Sequence, residues 1–337
     1  MVVLIHTPIT IEGDKFQITF SHVLSQVAVP AFFFFSGFLF FYNISIFTRK
    51  EYKTKIHRRI YTLAIPYIIW ISLYILFKLF LLLKNKENVL LFFNIENWYD
   101  WISLYWDNAM IMECNVNWLG YSAYMTAPYL VPLWYLRDLI VVSSITPIIY
   151  FLIKRFKILF ILFLFLAYTT HIWPIHTGLT IVSLFFFSWG SYYSINRIDF
   201  IYQFKKYEKI VYCLFGISVV FMIFYDGSHT SIGFLIHPFY VVVELICLNC
   251  FSLRMFINKT NINTKLEKSS FFIFVSHAVV IPYMALLLDI ILPSHNFLIS
   301  QLKYILIPIM TVGFCFITWL IIERIGGRFV KILFGNR

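Results

Sequence analysis

The stretch SQVAVPAFFFFSGFLFFYN, residues 25–43, runs for nineteen residues without one charged side chain. An α-helix needs ~20 mainly apolar residues to cross the hydrocarbon core of a bilayer, because each residue adds only ~1.5 Å of length. The stretch therefore predicts a membrane-spanning helix. It also decides the fold class, since eight more apolar runs follow it along the chain.

The composition is typical of a membrane protein built from many such helices. Hydrophobic residues make up 61% of the chain and charged residues 13%, with a mean hydropathy of +0.81, whereas soluble domains carry about 25% charged residues. We expect one all-α domain, residues 1–337, that forms a polytopic integral membrane helix bundle. The nine apolar runs are 25–43, 60–83, 132–153, 158–172, 178–195, 209–225, 232–252, 270–291 and 299–322. Residues 1–7 match the end of a further span, so we expect about ten transmembrane helices, the first one incomplete in this chain.

The loops between these runs carry very unequal positive charge. Of the 27 Lys and Arg residues, 21 lie in alternate loops and the C-terminal tail, and four lie in the loops between them. Lys and Arg concentrate on the cytoplasmic side of membrane proteins. We therefore expect a multi-pass protein of the cytoplasmic (inner) membrane with both termini in the cytoplasm and segment 84–131 outside. Topology explains the net charge of +11, so the expected partner is the lipid bilayer and not nucleic acid.

Cysteine usage predicts neither a disulfide nor a metal site. Four of the five cysteines lie in apolar runs, and Cys114 lies in an outer loop without a second cysteine. Cys247 and Cys250 have CxxC spacing, but a structural zinc site needs four ligands and the sequence offers no second pair.

Ionisable residues inside the apolar runs are candidates for a functional site, because a charge at the centre of a span costs ~2.5–3.5 kcal/mol. The candidates we select are His6, Arg137, Asp138, Glu244, His277 and, at the end of the last run, Glu323. For Glu244 and His277, a buried contact between helices and a role in lining a substrate cavity are both open. Arg137 is close enough to a span end to extend to the interface. Arg137 and Asp138 are sequence neighbours whose side chains diverge on a helix, so a pair between them cannot be assumed.

A basic cluster precedes the apolar run 60–83. Lys55, Arg58 and Arg59 lie where a helix N-terminus exposes unpaired N–H groups, and arginine adds a planar fork that suits phosphate. The cluster predicts a site for a phosphorylated ligand on the cytoplasmic side. Ordinary positive-inside charge explains the same residues, and the sequence alone does not separate the two interpretations.

Five stretches of the chain, in the same order, resemble the acyltransferase family 3 of multi-pass membrane proteins. They are distributed over most of the chain and are VLIH (3–6), SQVAVPAFFFFSGFLFF (25–41), RRIYTLAIPYIIW (58–70), VPLWYLRDLIVV (131–142) and SSFFIFVSHAVVIP (269–282). Proteins of this family transfer acyl groups, often acetyl from acetyl-CoA, to hydroxyls of polysaccharides and related glycans. The resemblance implies acyl-CoA as the donor substrate, a glycan acceptor and no permanently bound cofactor.

The resemblance assigns roles to two histidines. The family's first span ends in its proposed catalytic histidine, and His6 occupies that place. A neutral imidazole, with an ordinary pKa near ~6.5, can accept the proton of a sugar hydroxyl. His277 matches a later-span histidine of the family and is expected to orient a partner or to line the cavity.

The resemblance also implies a donor site. Arg59 matches the first arginine of the family's RxxR-type pattern, which would bind donor phosphate. The second arginine of that pattern is replaced by Thr62, so Arg58 or Lys55 is expected to compensate.

Two further stretches match the family pattern. Trp134, Arg137 and Asp138 match its tryptophan-bearing span, which implies cavity residues of unassigned role. Ser36 and Gly37 match its Ser-Gly pair. For that pair we expect packing, because glycine permits close approach of helices and serine offers an interhelical hydrogen bond.

The start of the chain departs from the family pattern. The family has an arginine about three helical turns before its histidine, whereas Met1 lies five residues before His6. We expect the natural reading frame to continue upstream, with a basic residue in that place. We also expect His6 near the outer end of its span and Arg59 near the inner end of its own, separated by most of a ~30 Å hydrocarbon layer.

Residues 97–129, which we call the aromatic segment, combine aromatic rings with carboxylates. The rings are Trp98, Tyr99, Trp101, Tyr105, Trp106, Trp118, Tyr121, Tyr124 and Tyr129, and the carboxylates in or beside the segment are Glu96, Asp100, Asp107 and Glu113. Such a surface can bind the apolar face and the hydroxyls of a sugar. An aromatic belt at the membrane interface has the same composition, so both interpretations are open.

The sequence thus predicts a membrane O-acyltransferase that moves an acyl group, with acetyl favoured, from acyl-CoA to a glycan hydroxyl. Two other functions are open: a transporter or flippase of glycan intermediates, and a catalytically inactive membrane scaffold. The sequence names neither the acceptor nor the oligomeric state.

Overall fold

The chain is almost entirely helical. The computed structural model describes residues 1–11, 14–44, 46–116, 121–173, 177–225, 231–257, 264–293 and 296–335. The helices in the first half are α1 (Val2–Ile5), α2 (Lys15–Ile18), α3 (Ala28–Phe41), α4 (Arg49–Arg59), α5 (Ile65–Lys84), α6 (Val89–Phe92), α7 (Trp98–Trp106), α8 (Trp134–Ser144) and α9 (Thr146–Phe156). Those in the second half are α10 (Ile158–Thr169), α11 (Ile181–Ile195), α12 (Phe200–Gln203), α13 (Glu208–Phe224), α14 (Ser231–Ile257), α15 (Thr264–Ile291), α16 (Phe297–Ile325) and α17 (Arg328–Leu333).

Each of the nine predicted apolar runs falls on a helix. Within the described ranges, six helical segments are long and apolar enough to cross a membrane: Lys15–Phe41, Arg49–Lys84, Lys205–Phe224, Leu235–Met255, Lys265–Ile291 and Phe297–Ile325. Val131–Ser144 and Thr146–Phe156 meet at a bend of 63° and are long and apolar enough only when taken together, as either one broken span or a re-entrant loop. The protein is therefore a multi-pass membrane bundle. A count of about ten spans stays a prediction, because α10 and α11 are shorter than a full crossing.

The short helix α11 lies in the middle of the bundle and crosses α3. Most of its side chains are buried, so protein rather than lipid surrounds it. At the crossing, a Cβ on Gly37 would lie 2.0 Å from the carbonyl oxygen of Phe187, and a Cβ on Gly190 would lie 1.9 Å from that of Phe34. Both glycines are therefore required for this backbone approach. The packing role expected for Gly37 is confirmed.

Proline residues interrupt two of the spans. Ile60–Ala64 forms a wide, π-type turn between α4 and α5. Pro66 explains it, because proline lacks the N–H that would bond to the Thr62 carbonyl and its ring crowds that oxygen. Pro147, at the start of α9, lies just after the 63° bend. The first of these breaks directly follows Arg59, the last residue of α4.

The segment between α7 and α8 contains the only strands within the described ranges. Strand β1 (Ala109–Val116) pairs antiparallel with β2 (Tyr121–Ala127). The all-α prediction did not include this hairpin. Its polar and aromatic residues obscure the alternation of apolar and polar positions that identifies a strand. The hairpin follows α7, which begins with an Asn97–Asp100 capping box. Trp118 of the aromatic segment lies outside the described residues.

Aromatic side chains fill the core between the helices. Phe33, Phe34, Phe185, Phe186 and Phe187 are almost completely buried. Many of these rings meet edge to face or tilted at centroid distances near 5 Å, as Phe34 does with Trp189 at 5.1 Å. Such contacts add to the packing that holds membrane helices together, because lipid provides no hydrophobic force between them.

Candidate functional site

Two histidines that are distant in sequence meet inside the bundle. The ring centroid of His6, which caps the end of α1, lies 5.2 Å from that of His277 on α15. His277 is fully buried, and its Nδ1 lies 2.6 Å from the carbonyl oxygen of Phe274. A carbonyl only accepts, so Nδ1 carries the proton and donates, which makes Nε2 an acceptor. Nε2 is buried and has no hydrogen-bond partner among the described residues.

The segment after His6 is held by a buried glutamine that the sequence analysis did not single out. The Gln17 side chain is completely buried; its Oε1 accepts from the Thr10 N–H at 2.8 Å, and its Nε2 donates to the Thr10 hydroxyl at 2.8 Å. The Thr10 hydroxyl in turn donates to the carbonyl of Ser300 on α16. An amide inside the apolar stretch 15–20 was the available signal. These bonds fix the loop that leads away from His6.

The basic cluster lines a cleft at the end of the bundle where α3 ends and α5 begins. The cleft has a volume of about 660 Å³, and Lys55, Arg58 and Arg59 line it. These residues lie three and four positions apart on α4, so they share one helix face. Thr62, which replaces the second arginine of the family pattern, lines the same cleft. We call this site the cationic cleft.

Arg59 is anchored to α3 through both terminal nitrogens of its guanidinium. Its Nη1 donates to the Ser36 hydroxyl at 2.7 Å and its Nη2 donates to the Ser36 carbonyl at 3.1 Å. The guanidinium also lies 5.5 Å from the centre of the Phe40 ring. Ser36 therefore makes the interhelical hydrogen bond expected of it, and the structure identifies its partner.

The histidine pair and the cationic cleft are closer together than the sequence suggested. A Cβ built on Gly335 would contact the Thr62 carbonyl and the Phe271 ring, so those two residues lie at the same depth. His277 lies six residues beyond Phe271 and Arg59 lies three residues before Thr62. At 1.5 Å per residue, the two levels are roughly 13 Å apart along the bundle. This estimate is shorter than the expected separation of most of the hydrocarbon layer, because His277 lies midway along α15.

Aromatic rings lie between the two sites. On α3, Phe32 lies one turn from Ser36, and its ring is 6.4 Å from that of Phe274 and 5.6 Å from that of Tyr135. The Phe274 ring is in turn 6.1 Å from the His277 ring. This short series of contacts connects the residue that anchors Arg59 with the histidine pair.

Arg137 and Asp138 form a buried ion pair, which the sequence analysis did not expect. The Nε and Nη2 atoms of Arg137 donate to Asp138 Oδ1 at 3.1 and 2.9 Å, and both side chains are completely buried. The long arginine side chain curls back over its own helix, so neighbours that diverge at Cβ still meet at their ends. Arg137 does not extend to the interface; its exposed fraction is 1%.

This ion pair ties the aromatic segment to the bundle. Arg137 Nη1 donates to the Trp106 carbonyl at 2.5 Å, and Nη2 donates to the Thr126 carbonyl at 2.8 Å. Asp138 Oδ2 accepts from the N–H of Thr180, just before α11. The pair thereby joins the end of α7, the end of β2 and the start of α11. Local sequence could not reveal partners that are main-chain carbonyls.

The remaining cavity candidates have other neighbours. Glu244 on α14 is 4% exposed and lies one turn after Tyr240, whose hydroxyl donates to the Val23 carbonyl at 3.2 Å. Glu244 Oε2 is buried without a partner among the described residues. Trp134 packs against the Phe33 ring at 6.2 Å, at the start of α8. The contacts of these residues therefore differ from those of the histidine pair.

The aromatic segment has an exposed face and an inserted face. Trp98 is 75% exposed, whereas the Tyr105 carbonyl accepts a hydrogen bond from the Tyr67 hydroxyl of α5. Tyr129 packs against Tyr74, also on α5, and burial raises the pKa of Tyr129 to about 12, so its phenol stays neutral. The segment is thus partly embedded in the bundle, close to the ion pair.

The fold and the site together define a class of protein. A multi-pass helix bundle with a cationic cleft at one end and a paired, buried imidazole in its interior is suited to group transfer between a charged donor and a second substrate. A family model described as "Acyltransferase domain" matches residues 1–321. The chain belongs to this family, acyltransferase family 3, and the resemblance is confirmed; the protein is a multi-pass membrane acyltransferase. No curated protein and no solved structure matched the chain.

Proposed function

We propose that the protein is an O-acyltransferase that transfers an acetyl group from acetyl-CoA to a hydroxyl of a cell-surface or exported glycan. The observation that carries the proposal is the contact between His6 and His277 inside the bundle, which helix rise places roughly 13 Å deeper than the cationic cleft. A donor with phosphates at one end and a thioester at the other fits this arrangement. A sugar hydroxyl would approach the histidines from the opposite end of the bundle.

In the proposed reaction, His6 is the general base. Its imidazole accepts the proton of the acceptor hydroxyl as that oxygen attacks the thioester carbonyl. The new C–O bond forms, the C–S bond breaks, and the CoA thiolate receives the proton that His6 accepted. No metal or redox partner enters this balance.

His277 is proposed as the positioning residue for His6. Its Nδ1–H is committed to the Phe274 carbonyl, so its Nε2 can only accept. An N–H of His6 directed at this Nε2 would leave the other ring nitrogen of His6 free to act as the base. A second group that fixes the tautomer of a catalytic histidine is a general device of such sites.

The donor phosphates are proposed to bind Lys55, Arg58 and Arg59. Charge-assisted hydrogen bonds from arginine to phosphate are about twice as strong as neutral ones. Arg59 is already held by Ser36, so less side-chain freedom is lost when the donor binds. The arm of CoA would then follow the rings of Phe32 and Phe274 toward the histidine pair.

The proposed location is the cytoplasmic membrane, with both termini and the cationic cleft in the cytoplasm. The loop charge count supports it, because 21 of 27 Lys and Arg residues lie on one side of the predicted topology. Single cysteines placed in 98–106 should react with an impermeant thiol reagent added outside intact cells. Reaction only after the inner face is opened would contradict this orientation.

The central experiment is radiolabelled acetyl transfer in purified membranes, with donor binding measured separately. His6→Ala should lower transfer by ~10²-fold or more and leave donor affinity unchanged, because only the base is lost. His57→Ala is the matched control: His57 is an exposed histidine on α4, packed against Tyr61, and its loss should leave transfer unchanged.

The role of His277 is tested by a conservative pair of variants. His277→Leu should lower kcat with both KM values retained, and His277→Gln, which keeps an acceptor, should recover part of the loss. Equal activity of the two variants would contradict a positioning role. Full activity of His6→Ala would refute the assigned base. Donor binding without acyl transfer to any glycan would favour a flippase of glycan intermediates.

A further inference from the structure

A second cleft lies on the other side of the α3 end and is not used by the proposed reaction. It has a volume of about 680 Å³. It shares Leu39, Tyr42 and Asn43 with the cationic cleft, so the last turn of α3 forms a wall between the two. Its remaining lining comes mostly from the end of α11 and the residues that follow it, including Ser194 and Arg197. A ligand that crosses the wall would touch both clefts.

The wall presents a flat aromatic surface. The Tyr42 side chain is 51% exposed, although it belongs to the lining of both clefts. Its ring lies 5.6 Å from the Phe38 ring, which supports it from the side of α3. A planar heterocycle can stack on such a ring whatever its substituents, because stacking needs only a π-face.

Polar groups lie beside this surface. Ser194 Oγ is buried and has no hydrogen-bond partner among the described residues. Asn43 adds an amide with both donor and acceptor atoms. A buried hydroxyl without a partner is unusual, since such groups are nearly always satisfied. These groups suit the nitrogen edge of a nucleobase better than an apolar chain.

The second cleft also has its own cation. Arg197 is exposed and lies two residues after the end of α11. Its backbone φ is 55°, a left-handed conformation that residues other than glycine and asparagine seldom adopt. Its N–H donates to the Ser194 carbonyl and closes the helix end. Among the residues that the structure describes, Arg197 forms no ion pair. Asp199 also lines this cleft; its carboxylate caps α12, where Oδ1 accepts from the Tyr202 N–H at 3.2 Å.

We infer that the second cleft binds the nucleotide end of the donor, with the adenine stacked on Tyr42 and the ribose 3′-phosphate paired with Arg197. The pyrophosphate of the same molecule would occupy the cationic cleft, one helix turn away. The three cations of the cationic cleft and the single Arg197 of the second cleft, separated by an aromatic wall, match a nucleotide that carries phosphate at two separate positions. This inference rests on the proposed use of acyl-CoA and specifies how the donor is recognised.

The test compares coenzyme A with 3′-dephospho-coenzyme A, using full-length protein in lipid nanodiscs. The wild-type protein should bind coenzyme A roughly tenfold more tightly than the dephospho analogue, because the analogue lacks the phosphate that would make one charge-assisted hydrogen bond with Arg197. Arg197→Met should reduce coenzyme A affinity to that of the analogue and leave analogue affinity unchanged. Lys206→Met is the matched control: Lys206 follows Arg197 on the same connection but lies outside both clefts, so the preference should persist.

A second pair of variants tests the stacking surface. Tyr42→Leu should weaken both ligands by a similar factor, about fivefold or more, and Tyr42→Phe should retain wild-type affinities because the ring remains. A preference for coenzyme A that survives Arg197→Met would overturn the inference and leave the proposed donor intact. Failure of the wild-type protein to bind coenzyme A at all would overturn the donor assignment, and the inference with it.

Discussion

The hydrogen bond between Ser36 and Arg59 provides a test of donor binding that does not alter any group proposed to touch the donor. Ser36→Ala removes the hydroxyl that accepts from Arg59 Nη1 at 2.7 Å. The Ser36 carbonyl still accepts from Nη2 at 3.1 Å, so the guanidinium keeps one of its two anchors on α3. The substitution shortens one side chain and adds no volume to the helix interface.

The expected size of the effect follows from these two bonds. Complete loss of a hydrogen bond to a charged group costs about 1.5–3 kcal/mol. Arg59 is only half-buried, and it retains one bond, so water can replace part of the lost interaction. We expect Ser36→Ala to weaken donor binding by about 0.5–1.5 kcal/mol, or roughly two- to tenfold in Kd. Arg59→Ala, which removes the cation, should cost about 1.5–3 kcal/mol.

The assay is a double-mutant cycle on coenzyme A affinity in nanodiscs. If Ser36 acts through Arg59, Ser36→Ala should have no further effect in the Arg59→Ala protein. Ser218→Ala is the matched control, because the Ser218 hydroxyl donates only within its own helix, to the Phe215 carbonyl at 2.9 Å. Additive losses in the double variant would refute the reasoning. So would a Ser36→Ala protein that binds the donor normally but transfers acyl groups slowly.

Three further predictions concern packing and the aromatic segment. Gly190→Ala should destabilise the bundle by about 1–3 kcal/mol in a detergent-unfolding titration, because its Cβ would lie 1.9 Å from the Phe34 carbonyl oxygen; an unchanged midpoint would contradict the contact. Arg137→Gln should speed amide exchange in 98–106, because it frees the Trp106 carbonyl and leaves a buried carboxylate without its cation. Breaking a buried ion pair in this way costs about 3–5 kcal/mol in other proteins. Neutralising Asp138 in the same protein should restore part of the protection of these amides from exchange. Trp106→Ala should raise the acceptor KM more than the donor KM if the segment binds glycan, whereas unchanged kinetics would favour an interfacial belt.

The positions of the helices could be predicted from the sequence because hydropathy is a local property. An apolar run long enough to cross a bilayer has few other stable forms, since lipid cannot satisfy exposed backbone groups. The basic cluster was also visible, because charged residues next to an apolar run are local features. Its spacing, Lys55, Arg58 and Arg59, already places the three side chains on one helix face.

Helices shorter than a full crossing were harder to interpret. The α10 and α11 helices lie within predicted runs but are only 12 and 15 residues long. A helix enclosed by other helices, as α11 is, does not need to match the thickness of the bilayer, and hydropathy does not distinguish such a helix from one that lipid surrounds. The hairpin of β1 and β2 was missed for a similar reason, since polar and aromatic residues there fit a loop equally well.

What the sequence by itself determined is the membrane class, the location of the helices and the position of the basic cluster, because each depends on residues that are neighbours along the chain. The tertiary structure alone decided that His6 meets His277, that Arg59 is held by Ser36, and that Arg137 curls back to Asp138. These contacts depend on helix crossings and on the direction in which side chains leave the backbone. His6 and His277, like Ser36 and Arg59, are distant in sequence and meet only when the whole bundle has packed, so no local pattern could specify those contacts.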